Sequence, residues 1–463
     1  MASKKSVDDL ARHLTRRLGS DRVFRPGDGW YARTTELWNR AVTARPALVA
    51  RPRTDAEVAT AVTAARESGV GLSVRAGGHD WAGRALRNDG LVIDLGEMRD
   101  VRVTRDTAVA GGGSRAMDVV TAAAPHGMNV ATGTAGVVGM AGLSLGGGYG
   151  PLLGTAGLAA DNLLGATVVL ADGRLVSTED DPELLWALRG GGGNFGVVTS
   201  MRIRLHPDRG LVGGMALFPW QDAAKVLDRY AELTADAPEG LTLLLEMTVV
   251  PDVGPSLLVV PVWSGERREA DAALDEVARL GTPVMSTVAP ISQKDLLGQF
   301  DDSVPHGMHW DIRTRTVAAL TPAVMELLIA SAEARPGPGA GIGLRRFHGA
   351  ATRVGADDTA FGLRTDHVLV EISAGRGPDE DDVVYRDWAD QVSAALAPHA
   401  MPGGYPNFLG PDQHEQIEHA YGAHAARLLR AKETYDPSHV FTATPLPARR
   451  SQEAPVAPER VAD

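Results

Sequence analysis

The chain predicts an α+β protein of two lobes, and three observations lead there. Strands alternate with helices up to about residue 208. Glycine clusters crowd that same stretch. Beyond Asp208 the clusters thin out while helices and strands continue, as expected of a second layer covering the first. A length of 463 residues leaves room for two or three domains, or for one large two-lobed enzyme.

Residues 1–42 form an N-terminal helix and loop, with Val7, Leu10, Ala11 and Leu14 on one helix face. The first lobe, 43–208, opens with a short strand at Leu48–Ala50. Thr54 and Glu57 make a capping box for the helix that carries Val58, Val62 and Ala65. Gly69 stops that helix, and Val70–Val74 is the next strand. This strand–helix–strand unit delivers Gly77-Gly78-His79 at a strand's C-terminal end, where open sheets place ligands. Strands follow at Gly90–Leu95 and Asp100–Ala110, then a helix at Ser114–Gly127. Ala131–Gly157 holds too much glycine for a packed helix. A hairpin turns at Asp172-Gly173, Pro182–Arg189 is helical, and a strand begins at Val197 after four glycines.

The second lobe, 209–400, alternates helices (Asp222–Thr234, Glu269–Leu280, Pro322–Ala334) with strands (Leu241–Val250, Leu257–Trp263, His367–Ser373). Residues 401–443 reopen a loop at Gly403–Phe408 and form a helix at Glu415–Ala431. Residues 444–463, rich in Pro, Ala, Glu and Arg, are expected to be disordered.

Composition removes several functions. A net charge of −12 repels phosphate backbones and anionic lipid, so neither nucleic acid nor a membrane surface is an expected partner. With no cysteine there is no disulfide, thiolate metal site or cysteine nucleophile. The longest apolar region, Leu241–Trp263, is interrupted by Glu246, Pro251, Asp252 and Pro255. No apolar core follows the basic N-terminus, so a cytoplasmic protein acting on a small molecule is the expectation; its oligomeric state is not legible.

Three short motifs match familiar patterns and fail on context. Gly191–Gly196 satisfies G-x-G-x-x-G, but a helix precedes it and a strand follows, the reverse of a dinucleotide turn. Gly142–Gly146 satisfies G-x-S-x-G around Ser144, yet the glycines after it make a poor start for the helix that a nucleophile elbow needs. A serine hydrolase on Ser144 stays as the alternative from another class. His414 and His419 are spaced i, i+5 and diverge around a helix, and His306 with His309 lacks further ligands, so no metal is expected.

The ordering of the glycine segments is more specific. Arg75-Ala76-Gly77-Gly78-His79, Thr132-Gly133-Thr134-Ala135-Gly136, Leu145–Gly150, and Leu185 to Val198 with its glycine run resemble the FAD-linked oxidases of the vanillyl-alcohol oxidase (PCMH) type. Tyr405-Pro406-Asn407-Phe408 and Tyr435 to Phe441 resemble the closing segment of the berberine-bridge-enzyme-like branch. The resemblance spans about 45–441. It implies a PCMH-type FAD lobe, a mixed-sheet substrate lobe, and a C-terminal segment returning to the FAD lobe.

The resemblance also implies residue roles. His79 matches the covalent anchor of FAD. Arg75, Ala76, Gly77 and Gly78 would wrap the cofactor, Thr134, Gly136, Val138, Gly139 and Gly142 would run along it, and Gly193, Gly196 and Val198 would close on the adenine side. Tyr405 and Asn407 match residues beside the flavin ring. Ala135 stands where many relatives carry a second anchoring cysteine, so a single histidyl link is expected. Phe408 stands where some relatives have a catalytic tyrosine, which leaves Tyr149, Glu371 and Tyr405 as candidate bases. Glu371 is either a carboxylate raised by burial or a surface group on an edge strand. Val138 matches an oxygen-gating position and points to an oxidase using O2. The implied activity is oxidation of a small hydroxyl-bearing natural product with release of H2O2. An oxygenase, oxidative cyclase or dehydrogenase on the same fold, and a flavin-free binding protein, are the alternatives.

Overall fold

The computed structural model describes residues 3–303 and 307–448. The N-terminal helix, Lys4–Leu18, starts where the Ser3 side chain accepts from the Ser6 amide, and it buries Leu10, Ala11, Leu14 and Leu18. It packs with the helix Asp55–Glu67 in one core cluster. Thr54 caps this second helix by accepting from the Glu57 amide. The Glu57 carboxylate reaches back to the Arg53 amide at 2.7 Å, one residue earlier than a standard capping box.

Two sheets build the first lobe. In the four-stranded one, Leu48–Ala50 and Leu72–Arg75 both run parallel to Leu91–Asp94 between them. Leu72–Arg75 is therefore an edge strand whose C-terminal end opens into Ala76–His79. The second sheet, antiparallel, centres on the long strand Val197–Pro207. The glycine-rich stretch 131–157, expected to be irregular, holds two short helices at Met140–Leu145 and Leu153–Ala156. Burial of Met140, Ala141 and Leu145 outweighs the poor local propensity.

Among the described residues, the second lobe is a nine-stranded sheet. Every pairing in it is antiparallel, where the resemblance implied a mixed sheet. Short connections such as the one between Leu241–Val250 and Gly254–Trp263 give hairpins, and parallel neighbours would need long crossovers. One face packs under the helices Ala223–Ala235, Ala270–Ala278, Pro322–Glu333 and Asp382–Leu396. Strand alternation sends Leu245, Met247, Leu344, Val370 and Ile372 into that core, and Glu246, Arg345 and Glu371 to the opposite face.

The helix expected over Glu415–Ala431 is two helices, His414–His419 and Ala425–Tyr435. Gly422, at φ +49°, lies between them in the left-handed region that ends a helix. The C-terminal segment then folds back on the first lobe. The buried Lys432 ammonium donates to the Asn194 and Phe441 carbonyls and to Asp436, and Phe441 enters the core of the first sheet. Residues 444–446 continue this contact, since Thr444 accepts from Asn194 and Pro445 from Tyr421. The rest of the tail from 449 lies outside the described residues, as does His306. No helix among the described residues is long and apolar enough to cross a membrane.

Candidate active site

Gly78 turns the chain at φ +69° just beyond the edge strand. A Cβ on Gly77 would stand 2.2 Å from the Gly139 amide nitrogen, and one on Gly139 would stand 2.3 Å from that of Gly77. The two glycine segments therefore meet backbone against backbone. They share the wall of a cleft of about 650 Å³, within the range of roughly 300–1,000 Å³ usual for ligand sites. Ala76, His79, Thr134, Ala135, Val138, Gly142, Gly193, Gly196 and Val198 belong to the same wall, and Thr442–Thr444 of the C-terminal segment close on it. A Cβ on Gly142 would meet nothing within 4 Å, so the backbone there fronts open space. Backbone amides brought from three loops to one cleft suit a ligand with a flat ring and a diphosphate.

Arg75 and Gly136 do not line this cleft. The Arg75 guanidinium turns to buried Asp94 at 3.2 Å, which also takes Arg51 and Thr34. Gly136 faces Met117 and Asp301, and a Cβ there would lie 2.6 Å from the Met117 methyl.

His79 stacks on Trp38, with ring centroids 4.5 Å apart and planes 14° from parallel. Burial pulls its pKa down to about 4, so the imidazole is neutral at pH 7 and has a free nitrogen lone pair.

The second lobe supplies side chains instead of backbone. Glu246, Gly343 and Glu371 occupy one register row across three neighbouring strands. Arg345, two residues beyond the glycine on the same face, bridges the carboxylates. Its Nε and Nη2 donate to Glu371 Oε2 at 2.9 and 2.7 Å, and Nη2 reaches Glu246 at 3.4 Å. Ser373 donates to the other Glu371 oxygen at 3.1 Å. Burial lifts Glu246 to about 7, against the pull of Arg345 and with a push from Glu371. Arg345 and Glu371 line the cleft. The strand carrying Glu371 is interior, flanked by 340–347 and 309–317, so the edge-strand alternative for this residue does not hold.

The other two candidate bases are committed elsewhere. His367 Nδ1 donates to the Thr365 carbonyl at 2.7 Å, which leaves Nε2 to accept from the Tyr149 hydroxyl at 2.8 Å. Burial drives Tyr149 well above the usual phenol range, and it pulls His367 down to about 4. The Tyr405 oxygen accepts from the Gly148 amide at 2.8 Å and from Asn407 Nδ2 at 3.0 Å, and burial raises this phenol too. Tyr149, Tyr405, Asn407 and Phe408 all line the cleft.

Ser144 sits inside the helix Met140–Leu145, not at a strand-to-helix turn, and its hydroxyl has no hydrogen-bond partner among the described residues. No base reaches it, so the elbow reading of G-x-S-x-G has no geometry. His414 and His419 are exposed at the two ends of their short helix.

Sequence reasoning missed Trp38, Glu246, Arg345 and Thr442–Thr444. Glu246 did carry a signal, being a lone charge among apolar strand residues, while Arg345 is one of an adjacent pair with Arg346 and stood out less. Trp38 lies in a loop and carried none.

A family model described as an FAD binding domain matches residues 46–179, and one described as berberine and berberine like matches 404–445. An FAD-linked oxidoreductase of Pyricularia oryzae is 30% identical over 90% of this chain and 86% of its own. The (R)-6-hydroxynicotine oxidase of Paenarthrobacter nicotinovorans is 34% identical over 61% of this chain and 64% of its own. The crystal structure of a 6-hydroxy-D-nicotine oxidase from Arthrobacter nicotinovorans superposes with a TM-score of 0.81 at 28% identity, covering 91% of this chain and 96% of that one. The glycine-walled cleft lies where these matches put the cofactor domain, and this chain belongs to the FAD-linked oxidoreductases of the berberine-bridge-enzyme-like, PCMH-type family.

Proposed function

We propose that the protein is an oxidase whose FAD is joined to His79 and whose substrate is a small hydroxyl-bearing molecule. The observation that carries this reading is the pairing, in one cleft, of a neutral imidazole on a glycine wall with a carboxylate–guanidinium cluster. The name of the 6-hydroxynicotine oxidase relative supports a hydroxylated small-molecule substrate. FAD, when bound, accepts a hydride and hands both electrons to dioxygen, with hydrogen peroxide as the second product.

The chain's own residues do the rest. Backbone at Ala76–Gly78, Gly139, Gly142, Gly193 and Gly196 holds the cofactor, and His79 is its single anchor, since Ala135 offers no second nucleophile. As hydride leaves the substrate carbon, its hydroxyl proton passes to the Glu246–Arg345–Glu371 cluster. Arg345 holds the Glu371 carboxylate in a fixed plane, and Glu246, near 7, lets the cluster hold one proton at neutral pH. Tyr149 already gives its proton to His367, so it orients substrate and does not act as the base. Val138, on the cleft wall, borders the path of dioxygen.

The test is a panel of small alcohols and phenols with oxygen uptake, peroxide and product measured together. The reading requires one peroxide per carbonyl formed. Turnover only with an artificial dye would make the protein a dehydrogenase, and an oxygenated or cyclised product without matching peroxide would make it an oxygenase or cyclase.

A further inference from the structure

The imidazole of His79 is held in an unusual way. Apart from a contact with its own backbone, its ring takes no hydrogen bond among the described residues. Its plane is set instead by stacking on Trp38. Trp38 is itself stacked on Trp310, with centroids 5.3 Å apart and planes within 10°. Trp310 belongs to the strand His309–Val317 of the second lobe, so the three-ring pile crosses between lobes.

The backbone around the pile is tied down at each level. The Trp38 amide donates to the Gly78 carbonyl, the residue before His79, at 3.4 Å. Buried Asn39 donates to the carbonyls of Trp81 at 2.6 Å and Trp310 at 2.8 Å, and it accepts from the Trp310 amide at 2.9 Å. The Arg40 amide donates to Met308 at 3.0 Å. Both indole N–H groups are buried without a partner among the described residues, although buried tryptophans ordinarily find one. What these two side chains contribute is therefore their faces.

We propose that Trp38, backed by Trp310, is a positioning residue for attachment of the cofactor: it fixes the plane of the His79 imidazole so that one ring nitrogen points at the flavin carbon it bonds. This rests on the covalent reading above. In that step a bond forms between the imidazole nitrogen and the methyl carbon on the flavin's benzenoid ring. The methyl C–H and imidazole N–H are lost, the two electrons stay on the flavin, and dioxygen takes them with both protons to give hydrogen peroxide. A ring free to rotate would meet that carbon in few of its orientations, and misplacement of a reacting group by about 1 Å can cost on the order of 100-fold in rate.

The test follows flavin, not turnover. Wild type, Trp38→Phe, Trp38→Leu and Trp310→Leu are produced as full chains without flavin, then mixed with FAD in air. Total flavin bound by the native protein and flavin retained by the acid-precipitated chain are measured over time. Trp38→Leu should bind FAD yet form the covalent link at least tenfold more slowly, Trp38→Phe should restore most of the rate, and Trp310→Leu should slow it about threefold. Equal rates in wild type and Trp38→Leu would overturn the inference and leave covalent attachment standing. A wild type that retains no flavin in acid would overturn both. If Trp38→Leu does not accumulate as folded protein, Trp310→Leu decides: slowed linkage supports the stack, and an unchanged rate defeats it.

Discussion

The two walls of the cleft are built from opposite materials. The first lobe offers backbone: Gly77, Gly139, Gly142, Gly193 and Gly196 come from three glycine-rich segments and bring no side chains. The second offers side chains from one face of an antiparallel sheet, where Glu246 and Glu371 stand in one register row and Arg345, two residues along, bridges them. A wall made of backbone fits one cofactor and tolerates little change. A wall of strand side chains can alter its chemistry residue by residue while the core face, with Leu245, Leu344 and Val370, stays as it is.

Substitutions on each side should therefore fail differently. The largest effect is expected on the backbone wall. Gly139→Val places a Cβ 2.3 Å from the Gly77 amide, with no flexible side chain to yield, and should cost about 1–3 kcal/mol in stability together with flavin binding. Native absorbance and thermal unfolding check both. A yellow, equally stable variant would mean that the two glycine loops do not need their close contact.

Next comes the side-chain wall. Glu371→Gln should leave flavin content unchanged and lower kcat by about 10²–10⁴-fold. Loss of flavin instead would mean that both walls serve the cofactor.

Glu246→Gln should act on the pH profile. The cluster accepts a proton only when Glu246 is ionised, so wild-type kcat should rise with pH through about 7, and the variant should lose that limb. Stability runs the other way. Folding favours protonated Glu246, so its contribution is complete below the ordinary glutamate pKa and is lost as pH rises through about 7. Denaturant titrations of the pair at pH 5 and pH 8 should show wild type losing more stability than the variant over that interval.

Tyr149→Phe removes the donor to His367 and strands a buried ring nitrogen. About 1–3 kcal/mol of stability should go, with only a few-fold change in kcat, since Tyr149 orients and does not accept the proton. A collapse of kcat would move the base to Tyr149. Smallest of all is Ser144→Ala, which deletes a buried hydroxyl without a partner and should shift stability by no more than about 0.5 kcal/mol and activity not at all.

The contrast between the walls also explains what the sequence could tell. Glycine clusters announce themselves, because backbone contact leaves residue type as its trace. His79 and most of the first wall are legible from residue type and motif order alone. The exceptions, Arg75 and Gly136, lie next to lining residues, but Asp94 draws the Arg75 side chain away and Met117 covers the Gly136 backbone. The strand-built wall left a fainter trace. Glu371 was visible as a lone charge in an apolar run, yet its partners depend on register across strands far apart in sequence, and register is not written in any one strand. Trp38 and Trp310 are separated by more than half the chain, and only the folded lobes bring them onto His79. The break at Gly422 shows the same limit on a small scale: a single positive φ divides what periodicity reads as one helix.

The most direct measurement is the mass of the intact chain after complete denaturation, followed by mapping of the proteolytic fragments. A histidyl-linked cofactor predicts a chain heavier by one FAD, with the added mass on the fragment that contains His79 and absent from His79→Ala. A denatured chain at the mass of its sequence alone, with all flavin free in solution, would contradict it.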